Sequence, residues 1–297
     1  MTARRLFLRQ CGAVALASTL PAALRAAPTG PYEHGLLWKI TLGDAPVSHL
    51  FGTLHSGEPR VLERAASLYT YIDAARVFMP ELVADADAVN AFMTASTSDT
   101  DDLPKKVGRK HWPQVSQRLA LHGVDERVQT RLRPWAALVT LLQPVGGAQP
   151  TLDEVLVRRA RTAGRKILPI ENVQEQIDAI ARLPDATVMA LLIDSARRHD
   201  AIQAGVAPMT DAWLAGDTGE LAHINSRLIG DDPALRRHAD LFLQSLLGQR
   251  NARFVERLLP QIREGGVFAA FGAAHLTGPD GVLARLLKAG CTTDRVA

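Results

Sequence analysis

Cysteine, aromatic residues and net charge are all scarce in this 297-residue chain, and each shortage excludes something. The two cysteines, Cys11 and Cys291, cannot make a disulfide scaffold or a cysteine-rich metal cluster. Aromatics are 5% of residues, too few for a stacking platform that holds single-stranded nucleic acid. The formal charge is +3, but Arg4, Arg5, Arg9 and Arg25 fall within residues 1–26, where no acid offsets them. Without that segment the net charge is about −1, so no electrostatic case for a nucleic-acid partner remains. The longest apolar stretch, Gly12 to Leu24, is short for a bilayer span. Local signatures of known chemistry are missing too. There is no His-Glu-x-x-His, Gly-x-Ser-x-Gly, Walker loop, Gly-x-Gly-x-x-Gly or Cys-x-x-Cys.

Residues 1–26 read as an export signal. Thr2-Ala3-Arg4-Arg5-Leu6-Phe7-Leu8-Arg9 looks like a twin-arginine motif, with an apolar stretch and then a small-residue cleavage region at Leu24–Ala27. The expectation is a periplasmic or secreted protein that touches the membrane through the signal alone, and then only if the signal is uncleaved. That route carries folded proteins, which suits a metal protein.

Residues 27–297 read as a single α/β domain. Residues 36–42 and 47–52 form a predicted hairpin across the turn residues Gly43-Asp44-Ala45-Pro46. A helix follows over 61–73, then a strand from Arg76 toward Val83, which Pro80 bends or ends early. Residues 95–110 are polar and read as a loop. Residues 111–163 read as short helices and 166–170 as a strand. Asn172 and Glu175 have the spacing of a capping box that starts a helix running to about Arg182. Residues 185–248 are helical with breaks near Gly216 and Gly230, and a new helix starts around Arg250-Asn251. Val267–Phe271 is a strand, 281–289 a helix and Thr292–Val296 a final strand. The order predicts a central mixed sheet built from both ends of the chain, with a largely helical middle, about 84–265, as a cap.

What the chain does have is one phrase twice. Phe51-Gly52-Thr53-Leu54-His55-Ser56-Gly57-Glu58-Pro59 is matched in register by Phe271-Gly272-Ala273-Ala274-His275-Leu276-Thr277-Gly278-Pro279. Each phrase follows a strand-like apolar run. A glycine there lets the backbone turn tightly, and the histidine is then offered at the carboxyl edge of the sheet. Neutral imidazoles bind first-row divalent cations and carboxylates complete the shell, so His55 and His275 are candidate metal ligands. Glu81, at the end of the Phe78-Met79 strand, is the candidate third ligand. Glu171, at a strand-to-helix turn, is a second candidate carboxylate. Arg250 is placed to clamp an anionic group, with Asn251 beside it. His49 sits within a strand. His34, His111, His122, His199, His223 and His238 show no pairing pattern.

These residues resemble the TraB/GumN family, whose relatives include the Tiki membrane metalloproteases. The resemblance rests on Leu50-Phe51-Gly52-Thr53-Leu54-His55, the strand to Glu81, Arg133-Pro134-Trp135 and Ile170-Glu171-Asn172-Val173-Gln174-Glu175-Gln176. It continues through Trp213-Leu214-Ala215-Gly216-Asp217, Arg250-Asn251 and Gly272-Ala273-Ala274-His275-Leu276-Thr277-Gly278. It implies an erythromycin-esterase/ChaN-like fold and a sheet-edge site of His55, Glu81 and His275, with Glu171 nearby. For the Tiki branch it implies a metal-dependent peptidase favouring manganese or cobalt, with zinc as a further possibility. Val83 stands where the family often has Asp, and Gly57-Glu58 replaces the commoner Gly-Asp. Neither change removes a proposed ligand. Three readings stay open on these grounds. The first is an exported metal-dependent hydrolase acting on a peptide or small-molecule substrate, with Glu171 or Glu81 as its general base. The second is a periplasmic iron- or haem-binding protein without turnover. The third is a metal-independent histidine-based esterase.

Overall fold

The computed structural model describes residues 32–147, 150–229 and 232–296. The expected export signal lies outside the described residues. The centre is a six-stranded mixed sheet of β1 (Leu37–Thr41), β2 (Ser48–Thr53), β3 (Val77–Pro80), β4 (Lys166–Ile167), β5 (Val267–Gly272) and β6 (Thr292–Arg295). Their spatial order is β4-β3-β5-β2-β1-β6. The β1–β2 hairpin and the β1–β6 pair are antiparallel, while β2, β5, β3 and β4 run parallel to one another. The two ends of the chain therefore meet in the sheet, as the strand order predicts.

β5 has all six residues buried, as a parallel strand covered on both faces should. Its side chains alternate between two cores. Phe268 and Ala270 face a layer with Phe51, Phe78 and the helices Pro59–Ala74, Leu152–Thr162 and Val206–Leu214. Val267, Ala269 and Phe271 face the opposite layer with the helices Gln249–Glu264 and Val282–Lys288. The helix Pro59–Ala74 shows why it packs. Proline sits in its first turn, and Val61, Ala65, Leu68 and Ile72 form one buried stripe. A third core lies among helices of the middle segment and includes Phe92, Trp135, Leu138, Leu192 and Phe242.

The structure departs from the sequence reading in three places. The stretch read as a loop over 95–110 contains the helix Leu103–Val107, which has Pro104 in its first turn and is anchored by buried Leu103 and Val107. The strand expected over 166–170 is regular for two residues only. Pro169 has no N–H to continue the ladder, although Leu168 and Ile170 still donate to Phe78 and Pro80 carbonyls. The helix expected to start at Arg250-Asn251 is instead continuous with Pro233–Leu243 through a π-helical segment, Gln244–Gly248. Arg250 is therefore inside a helical run, and it is buried.

Candidate functional site

Four parallel strands send their carboxyl ends to one edge, and each is followed by a predicted site residue. His55 follows β2, Glu81 follows β3, Glu171 follows the β4 segment and His275 follows β5. The two phrases sit side by side, because β2 and β5 are neighbours. Gly52 is paired with Phe271 and Thr53 with Gly272. Gly52 is glycine for a steric reason. A Cβ there would lie 2.6 Å from Leu276 Cδ1 and 2.9 Å from Ala273 Cα, inside the turn of the other phrase. The Gly52 carbonyl accepts from Trp213 Nε1 at 3.0 Å, which pins the strand end from the helical side.

Glu81 is fixed through backbone and side chain. Its N–H donates to Ala270 O and its carbonyl accepts from Glu171 N–H, both at 2.9 Å. Oε1 accepts from Arg250 Nη2 at 2.6 Å and from Gln176 Nε2 at 3.1 Å, and Oε2 accepts from Gly272 N–H at 3.0 Å. Burial alone would raise this carboxyl. That is the largest single influence, but Arg250, His275, the Gly272 N–H and His55 together outweigh it, and the group is held at about 2. Glu81 is thus an anion that feels both imidazoles.

Arg250 joins the two glutamates. Its guanidinium also donates from Nε and Nη2 to Glu171 Oε2, at 2.9 and 2.6 Å, and Arg253 donates to Glu171 Oε1 at 3.1 Å. The anions that Arg250 clamps here are thus side chains of the protein. Glu175 completes the expected capping box with Asn172, and it also receives Arg257.

The histidines are held differently from one another. Asn251 donates from Nδ2 to Asp280 O at 3.0 Å, which turns its Oδ1 toward His275 Nδ1, 2.5 Å away. Nδ1 must then carry the proton, and Nε2 is left as a buried lone pair with no partner among the described residues. Burial and Arg250 push this imidazole down to about 3, against the pull of Glu81. His55 has Nδ1 2.9 Å from Asp153 Oδ2, off the line of an ideal hydrogen bond. Burial lowers its basicity, but Asp153, Glu81 and Glu154 together raise it to about 8. Asp153 also accepts from Thr53 Oγ1 at 2.8 Å.

The sequence reading did not single out Asp153. Its one local signal is its place inside Thr151-Leu152-Asp153-Glu154, a capping box that accounts for Thr151 and Glu154 and leaves Asp153 over. A second pair is also new. His122 and His199 are buried with their Nε2 atoms 2.8 Å apart, far from any pattern in the chain. His49 stacks edge-on against Tyr71.

A divalent cation needs lone pairs facing one point. His275 Nε2 is one, and its Nδ1 is already committed to a carbonyl oxygen, the arrangement that supports metal-ligating histidines. His55 Nδ1 faces a carboxylate instead, 2.9 Å away but off the hydrogen-bond line, and Glu81 is an anion that acts on both rings. In donor chemistry the residues fit. They are not drawn together around one point, since no group of three or more His, Cys, Asp or Glu side chains among the described residues is close enough to hold an ion.

Comparisons with known proteins place the chain. The family model for the TraB/PrgY/gumN family matches residues 36–295. Metalloprotease TIKI2 of Danio rerio is 29% identical over 162 residues, covering 48% of this chain and 31% of that protein. Metalloprotease TIKI2 of Xenopus tropicalis is 24% identical over 309 residues, covering 86% of this chain and 59% of that protein. The chain therefore spans less than two thirds of the length of these relatives. No solved structure matches it. No helix among the described residues is long and apolar enough to cross a membrane. The chain belongs to the TraB/PrgY/gumN family.

Proposed function

We propose that this chain is an exported hydrolase of peptide bonds that uses a divalent cation, with manganese or cobalt favoured over zinc. Nε2 of His55, Nε2 of His275 and a carboxylate oxygen of Glu81 would hold the ion. The observation that carries the reading is the bare, buried Nε2 of His275, set beside an anionic Glu81 at the edge where the His55 phrase also ends. The metalloprotease relatives support hydrolysis at the family level.

When bound, such an ion polarises a carbonyl and acidifies a water molecule. The chain's own residues do the rest. Asn251 keeps the proton of His275 on Nδ1, so that Nε2 stays a lone-pair donor. Arg250 and the Gly272 N–H keep Glu81 ionised and fix its carboxylate plane. Glu171 has both oxygens bonded to arginines, so its geometry supports holding Arg250 rather than moving a proton. The 2.9 Å contact of His55 with Asp153 favours a second reading, a metal-independent esterase in which His55 moves protons.

The test is metal analysis of purified protein together with cleavage of a peptide library, with and without a strong chelator. The proposal expects bound cation and cleavage that chelation abolishes and His275→Ala removes. Cleavage that survives chelation supports the esterase-type reading. Wild-type rates in a His55→Ala/His275→Ala double variant would refute both.

A further inference from the structure

The two phrases match in sequence, but different groups stand behind their rings. Behind His275 is an amide, Asn251. Behind His55 is a carboxylate, Asp153, a hundred residues from Thr53. Three contacts bring Asp153 there. Leu152 N–H donates to Ser56 O at 3.0 Å, which ties the residue before Asp153 to the residue after His55. Thr151 and Glu154 close the capping box and set the helix's first turn. Thr53, the last residue of β2, donates to Asp153 Oδ1. The second oxygen, Oδ2, is left for His55. Both Oδ2 and His55 Nδ1 are buried with no other partner among the described residues, so each is satisfied through the other or not at all. The first turn of a helix also suits an anion, because free N–H groups point toward it.

We propose that Asp153 is a positioning residue of this site. It holds Nδ1 of His55 so that Nε2 is the nitrogen presented at the sheet edge, and Thr53 holds Asp153 in turn. This deepens the functional reading above, since it rests on His55 working at that edge. The off-line geometry agrees with a contact that tightens when the site is occupied. It also makes the two imidazoles unequal. A carboxylate behind a ring strengthens it as a ligand more than an amide does, so His55 is the ring whose performance depends most on its backing.

The experiment uses the full chain, stripped with chelator, as wild type, Asp153→Ala and Thr53→Val. Ring ¹⁵N shifts of His55, read in solution alkaline enough to keep the ring neutral, report which nitrogen carries the proton. The expectation is Nδ1–H in wild type, a switch toward Nε2–H in Asp153→Ala and a mixture in Thr53→Val. Calorimetric titration with manganese or cobalt is expected to show roughly 10–100-fold weaker binding in Asp153→Ala and a smaller loss in Thr53→Val. Circular dichroism checks that each variant is folded, and if Asp153→Ala is not, Thr53→Val carries the test. An Nδ1–H tautomer unchanged in the folded variants overturns the proposal and leaves the hydrolase reading standing. A tautomer that depends on Asp153 in a protein that binds no cation supports the proposal and removes the metal from the functional reading.

Discussion

Replacing Arg250 with methionine tests the electrostatics of the site most sharply. The guanidinium is 1% exposed and lies between Glu81 and Glu171, with both carboxylates nearly or fully buried. Methionine fills similar space but leaves two buried carboxylates without their shared cation. Glu81 falls from an ordinary 4.5 to about 2 in the folded chain, which corresponds to roughly 3 kcal/mol of stability at neutral pH. That net depression also contains the effects of burial, His275, the Gly272 N–H and His55, so the loss expected on removing Arg250 is that of breaking a buried pair, about 3–5 kcal/mol. For a chain of this size that is a fall in melting temperature of roughly 6–15 °C. The pH dependence carries a sign. Glu81 is more acidic folded than unfolded, so its contribution is fully present above about pH 4.5 and is lost as pH falls toward 2. In the variant, burial without the cation raises the folded carboxyl above its unfolded value. Protonation of Glu81 then relieves the variant as pH falls from 7 toward 5, while Glu81 of the wild type stays ionised over that range. Thermal melts of chelated protein at pH 7, 6 and 5 should show a gap that narrows with acid. A variant that melts within about 2 °C of wild type at pH 7, or a gap that stays constant to pH 5, would refute the reasoning.

Two further substitutions probe how the phrases are locked together. Gly52→Ala drives a methyl against Ala273 Cα, which is backbone and cannot rotate away, so we expect a loss of about 1–3 kcal/mol in urea unfolding and a fall in hydrolysis larger than that stability loss explains. Trp213→Phe leaves the buried Gly52 carbonyl without its donor and should cost about 1–3 kcal/mol by the same measurement, whereas an unchanged midpoint would show that the bond does not hold the strand end.

Much of the frame was legible because it is written in short-range pattern. The hairpin, the buried strand before His275 and the Asn172–Glu175 capping box all follow from neighbours a few residues apart, and all three are present. The twin phrase was legible as a pair, but not its register. Gly52 opposes Phe271 rather than Gly272, and that one-residue offset comes from sheet pairing, which local sequence does not encode. In the sequence, Arg250 reads as the start of a new helix just past Gly248. The helix passes through it by a π-turn and buries the guanidinium. Asp153 escaped notice because its capping box explains its neighbours, while its own contacts cross from one layer of the fold to the strand end of another. Tertiary contacts of this kind separate a list of candidate residues from a site.

The central claim is that imidazoles supplied by both ends of the chain work on a common centre beside Glu81. Crystals grown with manganese and measured at wavelengths on either side of its absorption edge test it directly. The account predicts one strong anomalous peak at the carboxyl edge of β2 and β5, ligated by Nε2 of both His55 and His275. A peak bound elsewhere, with the two rings turned away from each other, would contradict it.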